Sequence, residues 1–80
     1  MDSDRIQALV SFVAQSLVDQ PGEVQVTRTG GSYSPTYELR VASGDMGRVI
    51  GKKGRVANAL RTLLRVAAAR DGKRATLEIM

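Results

Sequence analysis

Apolar residues near the N-terminus recur every three or four positions, which is the spacing of one face of an α-helix. The stripe comprises Ile6, Leu9, Val10, Val13 and Leu17, with Phe12 and Val18 on either side of it. Ser3 or Asp4 is placed to cap this helix, and Pro21-Gly22 is placed to end it. Such a stripe is far more often a core face than a docking surface, so we expect the helix to be buried along it.

Two segments then alternate apolar and polar residues, as half-buried strands do. They span residues 23–28 and 36–42, and the glycine-containing segment 29–35 between them is a turn or a flexible loop. The apolar positions are Val24 and Val26 in the first segment and Tyr37, Leu39 and Val41 in the second. The pattern predicts a β-hairpin.

The second half of the chain predicts two helices joined at a glycine-bounded corner. Residues 45–50 suit a very short helix, capped by Ser43 or Asp45. Residues 55–70 have the clearest helical pattern in the chain. The apolar face of this long helix comprises Val56, Leu60, Leu63, Leu64 and Ala67.

A closing strand follows the long helix. Asp71-Gly72 marks a turn, after which Ala75, Leu77 and Ile79 alternate with polar residues. The order helix, strand, strand, helix, helix, strand predicts a two-layer α+β fold, with a three-stranded mixed sheet and the helices on one face. The helical pair makes a crossover long enough for the last two strands to lie parallel.

Composition narrows the chemistry that the chain can perform. Eighty residues support one domain, spanning 1–80. The absence of cysteine and histidine excludes disulfides, thiolate and imidazole catalysis, and the commonest zinc ligands. The eight carboxylates are scattered, so we expect neither enzymatic activity nor a cofactor. No apolar run approaches the roughly 20 residues that cross a bilayer, and the acidic N-terminus lacks the basic start of a signal peptide, so a cytoplasmic location is expected.

The net charge of +4 is unevenly distributed. In residues 1–39, two basic side chains against five acidic ones give −3. In residues 40–80, ten basic against three acidic side chains give +7. This asymmetry is typical of a polyanion-binding face, although charge alone does not distinguish such a face from an ordinary solvated surface.

The loop Gly51-Lys52-Lys53-Gly54 carries the functional signal. Glycine permits a sharp turn and lacks the Cβ that would keep another backbone away. Gly54 opens the long helix, whose first N–H groups lack internal partners and, with the helix dipole, favour an anion. The two lysines add positive charge at the same point, so the loop is predicted to hold a phosphodiester. The opposing interpretation is a helical corner whose glycines serve geometry alone, because G-x-x-G by itself is a weak signal.

The loop and its surroundings resemble the K-homology (KH) family of RNA-binding domains. The resemblance rests on Val49-Ile50-Gly51-Lys52-Lys53-Gly54, followed by aliphatic positions along the next helix. The element order is similar to the type II, bacterial version of that fold. Residues 45–55 also resemble the KhpA family of small bacterial proteins with a single KH domain.

The resemblance assigns binding roles to particular residues. In KH domains the glycine-bounded loop contacts the phosphates of about four nucleotides of single-stranded RNA; here those positions are Gly51, Lys52, Lys53 and Gly54. Arg48 and Arg55 flank the loop in sequence and would extend the phosphate track. The family's aliphatic groove for bases has as candidates Val49, Ile50, Val56 and Leu60. Many KH domains have a large aliphatic residue where this chain has Ala57, which implies a shallower groove.

The resemblance also implies partners. It suggests an RNA chaperone or post-transcriptional regulator linked to cell shape, acting as a homodimer or as a heterodimer with a larger KhpB-type KH protein. One module that holds about four nucleotides binds weakly, and a second linked site would raise avidity. The alternative function is a protein-interaction module with RNA binding secondary. Single-stranded DNA also stays open, since no residue clearly reads a 2′-hydroxyl.

A nucleotide-hydrolysing P-loop is the nearest enzymatic alternative. That motif needs four residues between its glycines and a serine or threonine after its lysine. Here three residues separate Gly47 from Gly51, and Lys52 is followed by Lys53. The sequence therefore disfavours a P-loop.

Overall fold

Three helices and three strands follow one another in the predicted order. The computed structural model describes residues 4–80. The elements are α1 (Arg5–Leu17), β1 (Gln25–Thr29), β2 (Thr36–Arg40), α2 (Met46–Ile50), α3 (Arg55–Arg70) and β3 (Thr76–Ile79). Short 3₁₀ turns lie at Pro21–Glu23, Ser43–Asp45 and Lys52–Gly54.

The sheet has the strand order β1-β2-β3. β1 and β2 form an antiparallel hairpin in which Val26 lies opposite Leu39. β2 and β3 run parallel, with Tyr37 opposite Leu77. The predicted α+β class and the mixed sheet with a parallel closing strand are therefore confirmed.

The core lies between the helices and one face of the sheet. Its most deeply buried side chains are Val10, Tyr37, Leu39, Val49, Leu60 and Leu64. Along β2, Tyr37 and Leu39 are buried whereas Thr36 and Glu38 are partly exposed on the opposite face. This alternation follows from the two-residue period of a strand.

The buried face of α1 differs from the predicted stripe. Its buried residues are Ile6, Val10 and Ala14, which recur every four positions. Leu17 is 36% exposed and Phe12 is 69% exposed, so neither belongs to the core. The small Ala14 gave no signal because periodicity counts large apolar side chains.

The cap of α1 is the one predicted at Asp4. Its Oδ1 accepts hydrogen bonds from the N–H groups of Ile6 at 3.0 Å and Gln7 at 3.1 Å. The other candidate cap, Ser3, lies outside the described residues. By contrast, neither Ser43 nor Asp45 caps α2 through a side-chain hydrogen bond.

Other element boundaries shift by a few residues. β1 begins at Gln25 because Pro21–Glu23 forms a 3₁₀ turn, and β2 ends at Arg40. Within residues 4–80, no helix has the length and apolar character needed to cross a membrane.

Candidate nucleic-acid interface

The loop between α2 and α3 begins with a backbone conformation that requires glycine. Gly51 has φ 78° and ψ 170°, a region used almost only by glycine. A Cβ at Gly51 would lie 2.9 Å from the backbone nitrogen of Val56. Both the dihedral angles and the close approach therefore exclude a side chain at this position.

The second half of the loop is left-handed, and two backbone hydrogen bonds hold the loop in place. Lys53 has φ 58° and Gly54 has φ 75°, and Lys53 is the single non-glycine residue with positive φ among those described. The Gly51 N–H donates to the Gly47 carbonyl at 2.8 Å, and the Gly54 N–H donates to the Gly51 carbonyl at 3.1 Å. These bonds make the loop a tight turn that couples the end of α2 to the start of α3.

Positive charge and backbone donors coincide at this turn. Lys52, Lys53 and Arg55 are exposed. Within the part of the chain that the structure describes, none of the three lies within 4.0 Å of a carboxylate oxygen. No described side chain caps the N-terminus of α3 at Gly54. The site therefore presents uncompensated cations beside the positive end of a 16-residue helix.

Arg48, predicted to extend the phosphate track, lies close to two carboxylates. Its Nη2 lies 3.0 Å from Asp19 Oδ2, and its Nε lies 3.5 Å from Asp45 Oδ1. A phosphate would have to compete with both carboxylates for this guanidinium. Arg55, on the other side of the loop, has no such competitor among residues 4–80.

The aliphatic candidates beside the loop divide between core and surface. Val49 and Leu60 are buried in the core, at 0% and 2% exposure, so their side chains are not on the surface. Ile50 is 36% exposed and Val56 is half-buried, so these two supply the apolar surface next to the loop. A helix of five residues shows no periodicity that separates Val49 from Ile50 in the sequence.

Ala57, where the resemblance predicts a shallower groove, is buried. Its side chain is 3% exposed and lies on the buried side of α3 with Leu60 and Leu64. The residue is therefore buried and is not part of the exposed surface at the loop.

Asp45, predicted as a possible cap of α2, is buried. It is 3% exposed and accepts two backbone hydrogen bonds from the segment that follows α1. The spacing Asp45-x-x-Arg48 is a sequence signal for its ion pair, since residues three apart share one helix face. Its hydrogen bonds with Asp19 and Gln20 have no local sequence signal, because these residues precede it by 26 and 25 positions.

The residues described by the structure contain no group of three or more Asp, Glu, His or Cys side chains arranged to hold a metal ion. The chemistry available at the loop is therefore that of cations, backbone N–H groups and a small apolar surface. This set can bind a phosphodiester backbone and contact a base.

Known proteins are similar to this chain over nearly its whole length. A family model for the KhpA/KhpB KH domain matches residues 7–79. The RNA-binding protein KhpA of Clostridium acetobutylicum is 48% identical over 75 residues, which are 94% of this chain and 100% of that protein. The RNA-binding protein KhpA of Treponema pallidum is 50% identical over 74 residues, which are 92% of each chain.

A solved structure shares the fold. The crystal structure of Era from Aquifex aeolicus bound to GDP and an aluminium fluoride aligns with a TM-score of 0.69 at 18% identity. The alignment covers 99% of this chain and 31% of that chain, so this chain spans about a third of Era's length. At this identity the likeness concerns the fold alone, and it supports the predicted type II arrangement.

Proposed function

The chain belongs to the KhpA/KhpB family of KH domains, and from that membership we propose that it binds single-stranded RNA through the loop Gly51–Gly54. The family is non-enzymatic, and the relatives described above are named RNA-binding proteins. Its fold is the type II KH fold, with the loop at the junction of α2 and α3.

One observation carries the proposal: two exposed lysines lie on the turn that leads directly into α3. The turn begins at Gly51, whose conformation is restricted to glycine, and no described side chain caps α3. Exposed cations attract the phosphates. The Arg55 N–H donates to the Lys52 carbonyl, so the N–H groups that follow it in the first turn of α3 are the oriented donors for a phosphate. Because Gly54 lacks a side chain, and only Asn58 Nδ2 lies within 4 Å of the place its Cβ would take, a nucleic-acid backbone can approach the start of α3 closely.

The remaining contacts set the size of the binding site. Arg55 extends the positive surface along α3, while Ile50 and Val56 offer apolar surface to a base. A site of this size suits about four nucleotides. Such weak, backbone-directed binding fits an RNA chaperone or post-transcriptional regulator in the cytoplasm.

The test is a charge reversal in the loop. Lys52→Asp with Lys53→Asp keeps the fold, since both side chains are exposed and aspartate tolerates the left-handed conformation at position 53. Affinity for a short single-stranded RNA should fall by roughly tenfold or more, because two phosphate contacts become repulsive.

The matched control is Arg61→Glu with Arg65→Glu, which makes the same change in net charge at exposed positions of α3. This variant should lose much less affinity, through long-range electrostatics alone. If the folded loop variant binds RNA as tightly as wild type, the loop is not the binding site. Equal losses in both variants would mean that the strand also contacts α3 and that the loop is not the main site.

We also propose a second role, self-association, because of apolar side chains exposed on the helices. Leu63 and Val66 on α3 are 50% and 54% exposed, and Phe12 on α1 is 69% exposed. Leu63 and Val66 are three positions apart and share one side of α3. A second copy of the chain, or a larger KhpB-type protein with its own KH domain, would cover this surface.

Sedimentation of wild type against Leu63→Glu with Val66→Glu tests that role. A dimer in wild type and a monomer in the variant would support it. A wild-type protein that self-associates but binds neither RNA nor single-stranded DNA would make docking the main function.

A further inference from the structure

Asp45 is a carboxylate in an unusual place. It is 3% exposed, and no other charged side chain among the described residues is buried. It lies at the end of the 3₁₀ turn Ser43–Asp45, directly before α2. A buried carboxylate is costly unless hydrogen bonds and an opposite charge compensate it, so its partners indicate what it does.

The partners of Asp45 belong to another part of the chain. Its Oδ1 accepts from the Asp19 N–H at 3.2 Å, and its Oδ2 accepts from the Gln20 N–H at 3.1 Å. Both donors lie in the segment just after α1. Asp45 makes no side-chain cap bond to its own helix, so its carboxylate ties the start of α2 to the exit of α1.

Arg48 completes this connection. It lies three residues after Asp45 on the same side of α2, with its Nε 3.5 Å from Asp45 Oδ1. Its Nη2 lies 3.0 Å from Asp19 Oδ2 and donates a hydrogen bond to that oxygen. The guanidinium therefore bridges the buried carboxylate and an exposed one.

The position of α2 determines the position of the loop. α2 has five residues, too few to be stable as an isolated helix, so tertiary contacts must hold it in place. One anchor is Val49, which is fully buried, and the other is Asp45 at its start. The helix ends directly in Gly51, whose N–H bonds to the Gly47 carbonyl, so a rotation of α2 moves the loop.

We propose that Asp45 is the positioning residue of the loop, and that Arg48 serves as its counter-ion rather than as a phosphate ligand. The inference rests on the proposed RNA-binding function of the loop. In this arrangement the carboxylate favours RNA binding by fixing α2, although its own negative charge opposes an approaching phosphate.

The two effects of Asp45 on RNA affinity have opposite signs, and this makes them separable. Asp45→Asn removes a negative charge near the loop, so electrostatics alone predicts tighter binding. The variant also replaces one acceptor oxygen by an amide nitrogen that cannot accept from a backbone N–H. If fewer molecules then hold the loop in its binding conformation, affinity should fall, by roughly fivefold if one molecule in five remains competent.

The matched control is Asp19→Asn. It removes the same charge from the neighbouring, 72% exposed carboxylate and leaves the backbone N–H that bonds to Asp45. It also keeps an amide oxygen that can accept the hydrogen bond from Arg48 Nη2. Its affinity should be unchanged or at most about twofold tighter, since an exposed charge is largely screened. Weaker binding for Asp45→Asn with no loss for Asp19→Asn supports positioning. Binding of folded Asp45→Asn at wild-type strength or tighter overturns it.

Arg48→Ala gives a second and independent measurement. Lys52→Ala should reduce the slope of log affinity against log salt by about 0.7, the value for one phosphate contact on a single strand. Arg48→Ala should lower affinity with an unchanged slope. A reduction in slope equal to that of Lys52→Ala would make Arg48 a phosphate ligand and would overturn its role as a counter-ion.

A readout without RNA separates this inference from the proposed function. The amides of Gly51 and Gly54 report on the loop through their hydrogen bonds. In Asp45→Asn and Arg48→Ala, both amide resonances should shift and exchange faster with solvent, whereas in Asp19→Asn they should not. Arg48 is 53% exposed, so its variant can be read even if Asp45→Asn does not fold. If the Gly51 and Gly54 amide resonances do not move in Arg48→Ala and Asp45→Asn, Asp45 does not position the loop. If these resonances move in the variants but the wild-type protein binds no RNA, only the proposed function is overturned.

Discussion

Gly51 and Gly54 both have positive φ, at 78° and 75°, but their ψ angles of 170° and 16° place them in different conformations. The conformation of Gly54 is left-handed helical, which other residues adopt at moderate cost. That of Gly51 is essentially restricted to glycine, and Val56 fills the space where a Cβ would lie. At Gly54 the nearest atom to such a Cβ is Asn58 Nδ2 at 3.9 Å, an ordinary contact.

The same substitution at these two glycines should therefore have unequal effects. Gly54→Ala should lower the free energy of unfolding by about 1 kcal/mol. Gly51→Ala should lower it by on the order of 3 kcal/mol, because strain and a backbone contact add. Urea denaturation measures both values. Equal losses would mean that the loop adopts another conformation in solution.

A second pair of residues links the cap of α1 to the sheet. The Tyr37 hydroxyl donates to Asp4 Oδ2 at 2.8 Å, and Arg28 Nε lies 3.5 Å from the same oxygen. Burial raises the pKa of Tyr37 to about 12, and the hydrogen bond to Asp4 and the charge of Asp4 act in the same direction. Burial alone would raise the pKa of Asp4, but hydrogen bonds from Gln7 and Tyr37, together with Arg28, lower it.

Stability at alkaline pH should depend on Tyr37. Below about pH 10 the tyrosine is protonated in both the folded and the unfolded chain. Between about pH 10 and pH 12 only the unfolded chain ionises, so the folded state loses stability as the pH rises, by on the order of 2 kcal/mol.

Tyr37→Phe should flatten this decline when the free energy of unfolding is measured at pH 9 and above. Tyr33→Phe, at a 62% exposed position, should leave the decline in place. An unchanged alkaline decline in Tyr37→Phe would contradict the buried hydrogen bond to Asp4.

At the scale of elements, the bounds of α3 were predictable and its buried face was not. Arg55–Arg70 was predicted and found, because Gly54 and Asp71-Gly72 delimit a long run of good helix formers. The predicted apolar face included Leu63, which is 50% exposed, and omitted Ala57 and Ala68, which are buried. A hydrophobic stripe shows which side of the helix is apolar, but the exact rotation of the helix depends on how closely it approaches its neighbours. Small alanines, which allow a close approach, give no periodic signal.

Two adjacent leucines of α3 should therefore contribute very different amounts to stability. Leu64 is fully buried, so Leu64→Ala should lower the free energy of unfolding by roughly 2–5 kcal/mol. Leu63→Ala should cost less than about 1 kcal/mol in the monomer, since half of the side chain is already in solvent. Urea denaturation at low protein concentration measures both. Similar losses would place Leu63 in an interface that persists at that concentration.

The site shows the same division between local and long-range information. The loop Gly51–Gly54 could be proposed as a phosphate site from the sequence because its spacing and charge are local properties, and the structure has a turn there. The ion pair of Arg48 with Asp19 was not predicted, because the two residues are 29 positions apart and meet only in the folded chain. The tertiary arrangement thus decides which cations near the loop remain available to a phosphate.

At the scale of the whole molecule, ion pairs decide which of the basic side chains are compensated by a nearby carboxylate. Arg5, Arg28 and Arg48 each lie within 4.0 Å of a carboxylate oxygen. Among the described residues, the loop lysines and the arginines of α3 have no such neighbour. Uncompensated positive charge among the described residues therefore includes the loop and α3, so the long-range field would favour the same anionic ligand as the proposed site.

The salt dependence of RNA binding measures how much of this positive surface contacts phosphates. If the loop neutralises about three phosphates, log affinity should fall with log salt at a slope of roughly −2 for a single strand. Lys52→Ala with Lys53→Ala should reduce the magnitude of the slope by about 1.4, because two of those contacts are lost. Arg61→Ala with Arg65→Ala removes the same charge from exposed positions of α3, and should weaken binding slightly without changing the slope. The wild-type slope could instead be much steeper than −2 and be reduced equally by both double variants. That result would mean that the strand runs along α3 and that the loop is one part of a longer phosphate track.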